Sequence, residues 1–424
     1  MKAYIYFLQL VLLSSSLAFA ESEQNAKELF NQFSDRIFKV RVLELSSGNQ
    51  ASIGSGFQIG DQGRIITNFH VVSEYVHHPD RYKIVIENKG GENFDLEIIN
   101  FDVVNDLAIL QSNDVQAVSI PLADKLPAKG EPIFSLGNPH DLGLSVVPGT
   151  FNGITSYSLY GRIHISGAIN SGMSGGPTLD KFGRVIGVNV ASSGNQVGFL
   201  IPLEHLRFFI DRSESLWLES NIYEQTIRDQ LYENQENIYQ ELLAKDWKTS
   251  KLGQVIIPQE IAQYIQCWGE NYHQDDQKYE YIQSDCLANE SIYISRGFNT
   301  GTILLQYAWI ESQELNPFQF YTLLTLEGTA MSPDNNASED DVTKFKCHEG
   351  FVKAAPNDQA LAVSKVAFCA REYKKYIGIY DVMFLSMSVQ DNNRSLLGHF
   401  SISGVSEDTA LKFLAKYFNG ITWQ

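Results

Sequence analysis

The sequence predicts an all-β region built from barrels or sandwiches over residues 36–212, followed by a helical linker and a separate C-terminal α+β domain. Three observations carry this. From Arg36 to Ile210, short apolar and β-branched runs alternate with Gly, Asn and Asp turns, the texture of a sandwich or barrel. No segment of helical period sits between those runs, which disfavours a parallel sheet with crossover helices. The texture then changes twice, at about Ser213 and again at about Lys251. A chain of 424 residues is also too long for one core.

The elements follow in order. Residues 1–20 read as an export signal: Lys2 supplies a positive start, Ala3 to Leu13 are almost wholly apolar, and Ala18-Phe19-Ala20 end in a small-residue cleavage pattern. An uncleaved anchor is the alternative. Residues 21–35 hold an amphipathic helix, Glu23 to Phe33, with Leu29, Phe30 and Phe33 on one side. Strands are expected at Ile37–Leu45, Ile53–Ile59, Ile65–Thr67, Tyr82–Glu87, Leu107–Gln111, Pro132–Leu136, Val185–Val190 and Val197–Ile201. Residues 213–250 are polar, lack Gly and Pro from Ser213 to Trp247, and repeat Ile227, Leu231, Ile238 and Leu242 at helical intervals, which gives the linker. In 251–424, Ile303–Ile310, Phe318–Leu326 and Tyr376–Ser388 read as strands, Ser332–Asp341 as an acidic loop and Glu407–Phe418 as a closing helix.

The net charge of −18 argues against nucleic acid and anionic membranes as partners, because both need clustered Lys and Arg. No stretch after the signal is apolar enough to insert stably in a bilayer. The cysteines Cys267, Cys286, Cys347 and Cys369 suit disulfides in an exported chain. Four cysteines allow three pairings, and the nested spacing favours Cys267–Cys286 with Cys347–Cys369. A metal site is the weaker alternative, since no CxxC pair occurs and only His273 and His348 lie nearby.

Three segments carry chemistry. Asn170-Ser171-Gly172-Met173-Ser174-Gly175-Gly176-Pro177 is a Gly-rich turn around a serine. Acyl transfer needs an exposed hydroxyl beside backbone N–H groups that face the developing oxyanion, and Gly172 permits the dihedrals that turn its own N–H and that of Ser174 inward. An ordinary hairpin turn would look the same in isolation. Thr67-Asn68-Phe69-His70-Val71-Val72 places a histidine at the end of a strand, where it can relay the serine proton. Asn105-Asp106-Leu107-Ala108-Ile109-Leu110 opens an apolar strand with a carboxylate that needs a partner; Asp95 and Asp102 are rivals, and Asp106 abuts the apolar run directly. The chain order His, Asp, Ser is that of chymotrypsin-like enzymes. It puts His70 and Asp106 in a first barrel and Ser174 in a second.

These segments, with Gly54-Ser55-Gly56-Phe57, Leu136-Gly137-Asn138-Pro139, Gly187-Val188-Asn189-Val190 and Val197-Gly198-Phe199-Leu200-Ile201-Pro202, resemble the HtrA (Deg) serine proteases of family S1 over about Arg36 to Ile210. The resemblance implies a chymotrypsin-like pair of six-stranded β-barrels and endopeptidase action on polypeptides. It implies no metal or other cofactor, and assembly as a homo-oligomer, a trimer in the family. It implies an oxyanion hole from the N–H groups of Gly172 and Ser174 with Met173 between them. Ala168, Ile169 and Asn170 would form the substrate-pocket floor, and Asn189, Val190 and Ala191 its wall. With no Asp at the floor, small or medium apolar P1 residues are expected.

The chain departs from the family in three ways. Met173 stands where a small polar residue is usual, no PDZ-like Gly-Leu-Gly-Phe segment follows Ile210, and the cysteine-bearing C-terminal domain is not part of the family's usual scheme. The resemblance implies protein quality control or processing in the periplasm or outside the cell. A protease-fold binding or chaperone protein that works through its C-terminal domain is the competing reading.

Overall fold

The short β runs of the N-terminal half close into two barrels, as expected. In the computed structural model, which describes residues 25–423 apart from 61, 113, 116, 117, 193, 195, 215, 216, 273–277, 334, 354–362 and 390, a helix over residues 25–33 (α1) comes first. The expected signal at 1–20 lies outside the described residues. Strands β1 (Ile37–Glu44), β2 (Gln50–Ile59), β3 (Arg64–Thr67), β4 (Tyr82–Glu87), β5 (Asn93–Asp102) and β6 (Leu107–Gln111) close in the order β1-β2-β3-β6-β5-β4, with helix α2 (Phe69–His77) between β3 and β4. Strands β7 (Pro132–Gly137), β8 (Ser145–Ile154), β9 (Ile163–Ser166), β10 (Pro177–Asp180), β11 (Val185–Ser192) and β12 (Val197–Pro202) close in the order β10-β11-β12-β9-β8-β7, and helix α3 (Leu203–Ser213) follows. Closure removes the open strand edges that would otherwise invite pairing with another chain.

One apolar core joins the barrels, from Phe57, Ile66 and Ile109 to Phe134, Ile165 and Leu200. Leu29 and Phe33 of α1 are buried in the same core, so Phe33 covers its own barrel, while Phe30 is half-buried beside Lys89.

The segment around His70 differs from the expectation. β3 stops at Thr67 and His70 is the second residue of α2 rather than the end of a strand. Phe69, Val72 and Val76 lie three and four residues apart and are all buried, a helical stripe. The β-branched pair Val71-Val72 had masked it.

The chain divides into two compact units. One holds the chain up to Thr155 and Tyr160–Tyr223; the other holds Ser156–Leu159 and Glu224–Gln424. Where a linker was expected stands α4 (Tyr223–Ala244), whose Tyr239 and Leu242 belong to the core of the second unit.

That unit is built on β13 (Thr249–Leu252), β14 (Val255–Pro258), β15 (Ile265–Tyr272), β16 (Glu280–Ala288), β17 (Ile292–Ser295), β18 (Phe298–Thr300), β19 (Ile303–Glu311), α5 (Pro317–Ala330), β20 (Lys346–Lys353), β21 (Val363–Glu372), β22 (Tyr380–Ser388), β23 (Arg394–Val405), α6 (Glu407–Asn419) and β24 (Thr422–Trp423). Its main element is a seven-stranded antiparallel sheet, β15-β16-β19-β23-β22-β21-β20. Leu305, Tyr307 and Trp309 pack with Phe413 and Tyr417 of α6. Ala308 and Ile310 pack with Phe320 and Leu324 of α5. Successive strand residues point to opposite faces, so one helix covers each face. Among the described residues no helix is long and apolar enough to cross a membrane.

The stretch Phe318–Leu326 is helix, not strand. The Asn316 side chain accepts the Gln319 N–H, the Gln319 side chain accepts the Asn316 N–H, and Pro317 takes the first helical position. This capping box starts a helix despite the aromatic composition.

Both disulfides form as the spacing favoured. Cys267 lies directly opposite Cys286 and Cys347 opposite Cys369. Each fastens one edge strand of the sheet, β15 or β20, to its neighbour.

Asp381, 1% exposed, accepts from Tyr373 Oη at 2.5 Å, Arg371 Nε at 2.8 Å and Asn335 Nδ2 at 2.7 Å. Burial pushes its carboxyl pKa up, against the pull of these donors. The cluster ties the acidic loop to the sheet, because Asn335 belongs to that loop. Removing one partner of a buried pair strands the other charge. Arg371→Ala is therefore expected to cost about 3–5 kcal/mol, measured as loss of stability of the full chain in denaturant titration.

Candidate active site

The first barrel supplies an acid–imidazole pair. Asp106 precedes β6 with φ of +62°, a left-handed conformation that Asp tolerates better than most residues. Its turn is closed by Asp102, which accepts the Asn105 N–H and side-chain amide at 2.8 Å each. The rival Asp102 is thus a turn-closing residue, and Asp95 makes an exposed pair with Lys83. Of these three carboxylates it is Asp106 that meets the histidine. Its Oδ1 accepts the His70 backbone N–H at 2.8 Å and its Oδ2 lies 2.7 Å from His70 Nδ1. Buried Asn68, just before α2, donates from Nδ2 to the Asp106 carbonyl at 2.8 Å.

Burial works against a charge on His70. The charge and hydrogen bond of Asp106 outweigh burial, and Arg162 opposes them, so the imidazole pKa lies above its usual value of 6.5. The protonated pair therefore adds stability below that value, and the contribution is lost as pH rises through the raised pKa.

The second barrel supplies the serine on the turn into β10. Met173 N–H donates to Asn170 O at 3.0 Å and Gly176 N–H to Met173 O at 3.1 Å. Gly172 and Gly175 in this turn have no room for a side chain. A Cβ on Gly172 (φ +91°) would fall 2.3 Å from Asn138 O, and one on Gly175 (φ +84°) 2.2 Å from Ser55 O and 2.4 Å from Thr67 Oγ1. The second contact presses the residue after Ser174 against the end of β3, three residues before His70. Among the described residues the N–H groups of Gly172 and Ser174 find no acceptor. Ser174 Oγ lies 3.5 Å from Val190 O, the long limit of a hydrogen bond. Such geometry can supply a nucleophile next to two inward donors.

Sequence reasoning missed the part Ser55 and Lys39 play in holding this turn. Ser55, fully buried on β2, donates its N–H to Ser174 O at 2.7 Å and its hydroxyl to Gly172 O at 2.7 Å, and accepts the Asn138 N–H at 2.9 Å. Its one local sign was a position between two glycines. His140 N–H donates to Ser171 O at 2.8 Å. His140 and Asp141 both have positive φ, +50° and +59°, and Lys39 holds Asp141 at 2.8 Å and Glu87 at 2.9 Å. Met173 is fully buried in the barrel core, which accounts for an apolar residue at that place.

The expected pocket residues separate. Ala168 is half-buried, Ile169 is buried in the core and Asn170 is exposed. Val190 is half-buried beside Ser174, and Ala191 pairs with Phe199. Asn189 does not form a wall. It is fully buried, with its amide spent on Thr178, Leu136 and Met173. A bulge at Val190 turns it inward, since Asn189 pairs with Leu200 and Ala191 with Phe199. Among the described residues no group of three or more His, Cys, Asp or Glu could hold a metal ion.

Residues 54–188 match the family model of the trypsin-like peptidase domain. The chain is 30% identical to "Protease Do-like 1, chloroplastic" of Arabidopsis thaliana, covering 41% of each chain. It is 35% identical to a "Probable periplasmic serine endoprotease DegP-like" of Brucella suis biovar 1, covering 38% of this chain and 32% of the relative. It is 28% identical to "Serine endoprotease DegS" of Escherichia coli K12, covering 41% of this chain and 52% of the relative. The chain thus spans 32% to 52% of the length of these curated relatives. Residues 54–188 are a trypsin-like peptidase domain, and its relatives are Deg (HtrA) serine endoproteases.

Proposed function

We propose that the chain is an exported serine endopeptidase in which His70, Asp106 and Ser174 are the catalytic triad and Gly172 and Ser174 N–H form the oxyanion hole. The observation that carries this reading is the double grip of Asp106 on His70. A carboxylate at Nδ1 keeps the proton there, so Nε2 holds the lone pair that a base needs. Ser174 Oγ attacks the scissile carbonyl carbon while Nε2 takes its proton, and the carbonyl π pair moves onto oxygen. The two N–H groups receive that oxyanion. Its collapse re-forms the carbonyl, breaks the C–N bond and sends the His70 proton to the leaving amine. Water then repeats the sequence on the acyl-enzyme and frees Ser174.

Polypeptides are the substrates, and small or medium apolar residues occupy P1, because Ala168, Ile169 and Asn170 offer no carboxylate to a basic side chain. The two disulfides and the expected signal fit the periplasm or the extracellular space, with quality control or processing of proteins as the role.

A fluorophosphonate probe is expected to label the parent at Ser174 and not Ser174→Ala. A parent that stays unlabelled with the site accessible would favour the binding or chaperone reading. The pH profile of kcat/KM is expected to rise through an apparent pKa above 6.5, because only neutral His70 is a base. Asp106→Asn should lower the rate roughly 10⁴-fold and move that limb to lower pH, since burial then acts on His70 without the carboxylate. Profiling on a peptide library should show apolar P1 residues, and dominance of Lys or Arg there would discard the pocket assignment.

A further inference from the structure

We infer that Asn189 is a positioning residue for the oxyanion hole, fixing the peptide plane that carries the Ser174 N–H; this rests on the serine endopeptidase reading above. The Met173–Ser174 peptide is one rigid unit. Its N–H is the Ser174 donor and its C=O belongs to Met173, and in a trans peptide the two point in opposite directions. Whatever draws the Met173 carbonyl into the barrel therefore turns the Ser174 N–H toward the cleft.

Asn189 is placed to do this. It is fully buried on β11, and its Nδ2 donates to Met173 O at 3.3 Å and to Leu136 O at 3.0 Å. The amide cannot swing away, because Thr178 Oγ1 donates to its Oδ1 at 2.6 Å and is itself paired with Ser135 Oγ at 2.7 Å. Its backbone adds two more ties to the same turn, accepting Gly175 N–H and donating to Gly176 O at 2.9 Å each. Gly176 N–H also reaches Met173 O, but Gly176 belongs to the turn and would move with it. The Asn189 side chain anchors that carbonyl to a neighbouring strand.

The test uses the full chain and the labelling kinetics of a fluorophosphonate probe, resolved into kinact and KI well below each variant's melting temperature. Asn189→Ala is expected to lower kinact on the order of 100-fold, as when one oxyanion donor is lost, with KI little changed. Thr178→Val keeps the amide but frees it to turn. It is close in shape to the parent and remains as the folded variant if Asn189→Ala does not fold, with a roughly tenfold loss of kinact expected from one hydrogen bond. Asn100→Ala removes another buried amide, bonded to Ser213 in the same unit. It should lower the melting temperature and leave kinact alone, which marks a merely structural effect. Folded Asn189→Ala or Thr178→Val labelling at the parent kinact would overturn the positioning role and leave the protease reading intact. A parent that does not label at all would overturn both.

Discussion

A trans peptide sends its N–H and its C=O in opposite directions, and the candidate site depends on that constraint twice. The N–H groups of Gly172 and Ser174 are left free for the oxyanion only as long as the carbonyls of Ser171 and Met173 are received on the opposite side. His140 N–H takes the first, and Gly176 N–H and Asn189 Nδ2 take the second. No side chain at Gly172 or Gly175 could share the task, because neither position has space for one. The turn is therefore held from outside, by β2, β7, β11 and the loop after β7. Ser55 brings the first barrel into the same arrangement, since it grips Gly172 O and Ser174 O together.

The loop after β7 carries an energetic load. Two consecutive non-glycine residues in the left-handed region cost of the order of 1–3 kcal/mol each. The Lys39–Asp141 pair and the His140 bond to Ser171 offset part of that cost. Burial lowers the Lys39 pKa while Asp141 and Glu87 raise it, and the net effect is upward, so the lysine stays charged across the ordinary pH range. With Met173 committed to the core, the turn is held by the hydrogen bonds of its neighbours. Its shape comes from contacts present in the intact chain.

The parts legible in the sequence are those encoded over a few neighbouring residues. Turn glycines around short β runs gave the barrels, and the segments around His70, Asp106 and Ser174 stood out by residue type. Asp106 was separable from Asp102 because it abuts an apolar strand, and Asp102 indeed serves its own turn. Misread elements had local signals that composition overrode. Asn316-Pro317-Phe318-Gln319 is a capping box in front of an aromatic-rich stretch, and Phe69, Val72 and Val76 have helical spacing beneath a β-branched pair. The holding roles of Ser55 and Asn189 could not be read. Ser55 reaches Gly172 across 117 residues, and the Asn189 amide joins Leu136, Met173 and Thr178 at 53, 16 and 11 residues, pairings that only the folded barrels bring together. Asn189 was misplaced as a pocket wall for that reason, and the bulge that turns it inward is a property of strand pairing.

The disulfide arrangement also bears on the order in which the C-terminal unit can be assembled. Each bridge joins strands that follow one another in the chain, across separations of only 19 and 22 residues. Closing so short a loop has a small entropic cost and needs only one hairpin, not the finished sheet. Cys267 can meet Cys286 before Cys347 has been delivered, so a chain that emerges from its N-terminal end presents its thiols to an oxidant in matched pairs. The pairing problem of four cysteines thereby reduces to two local ones, each contained in a single hairpin at one rim of the sheet.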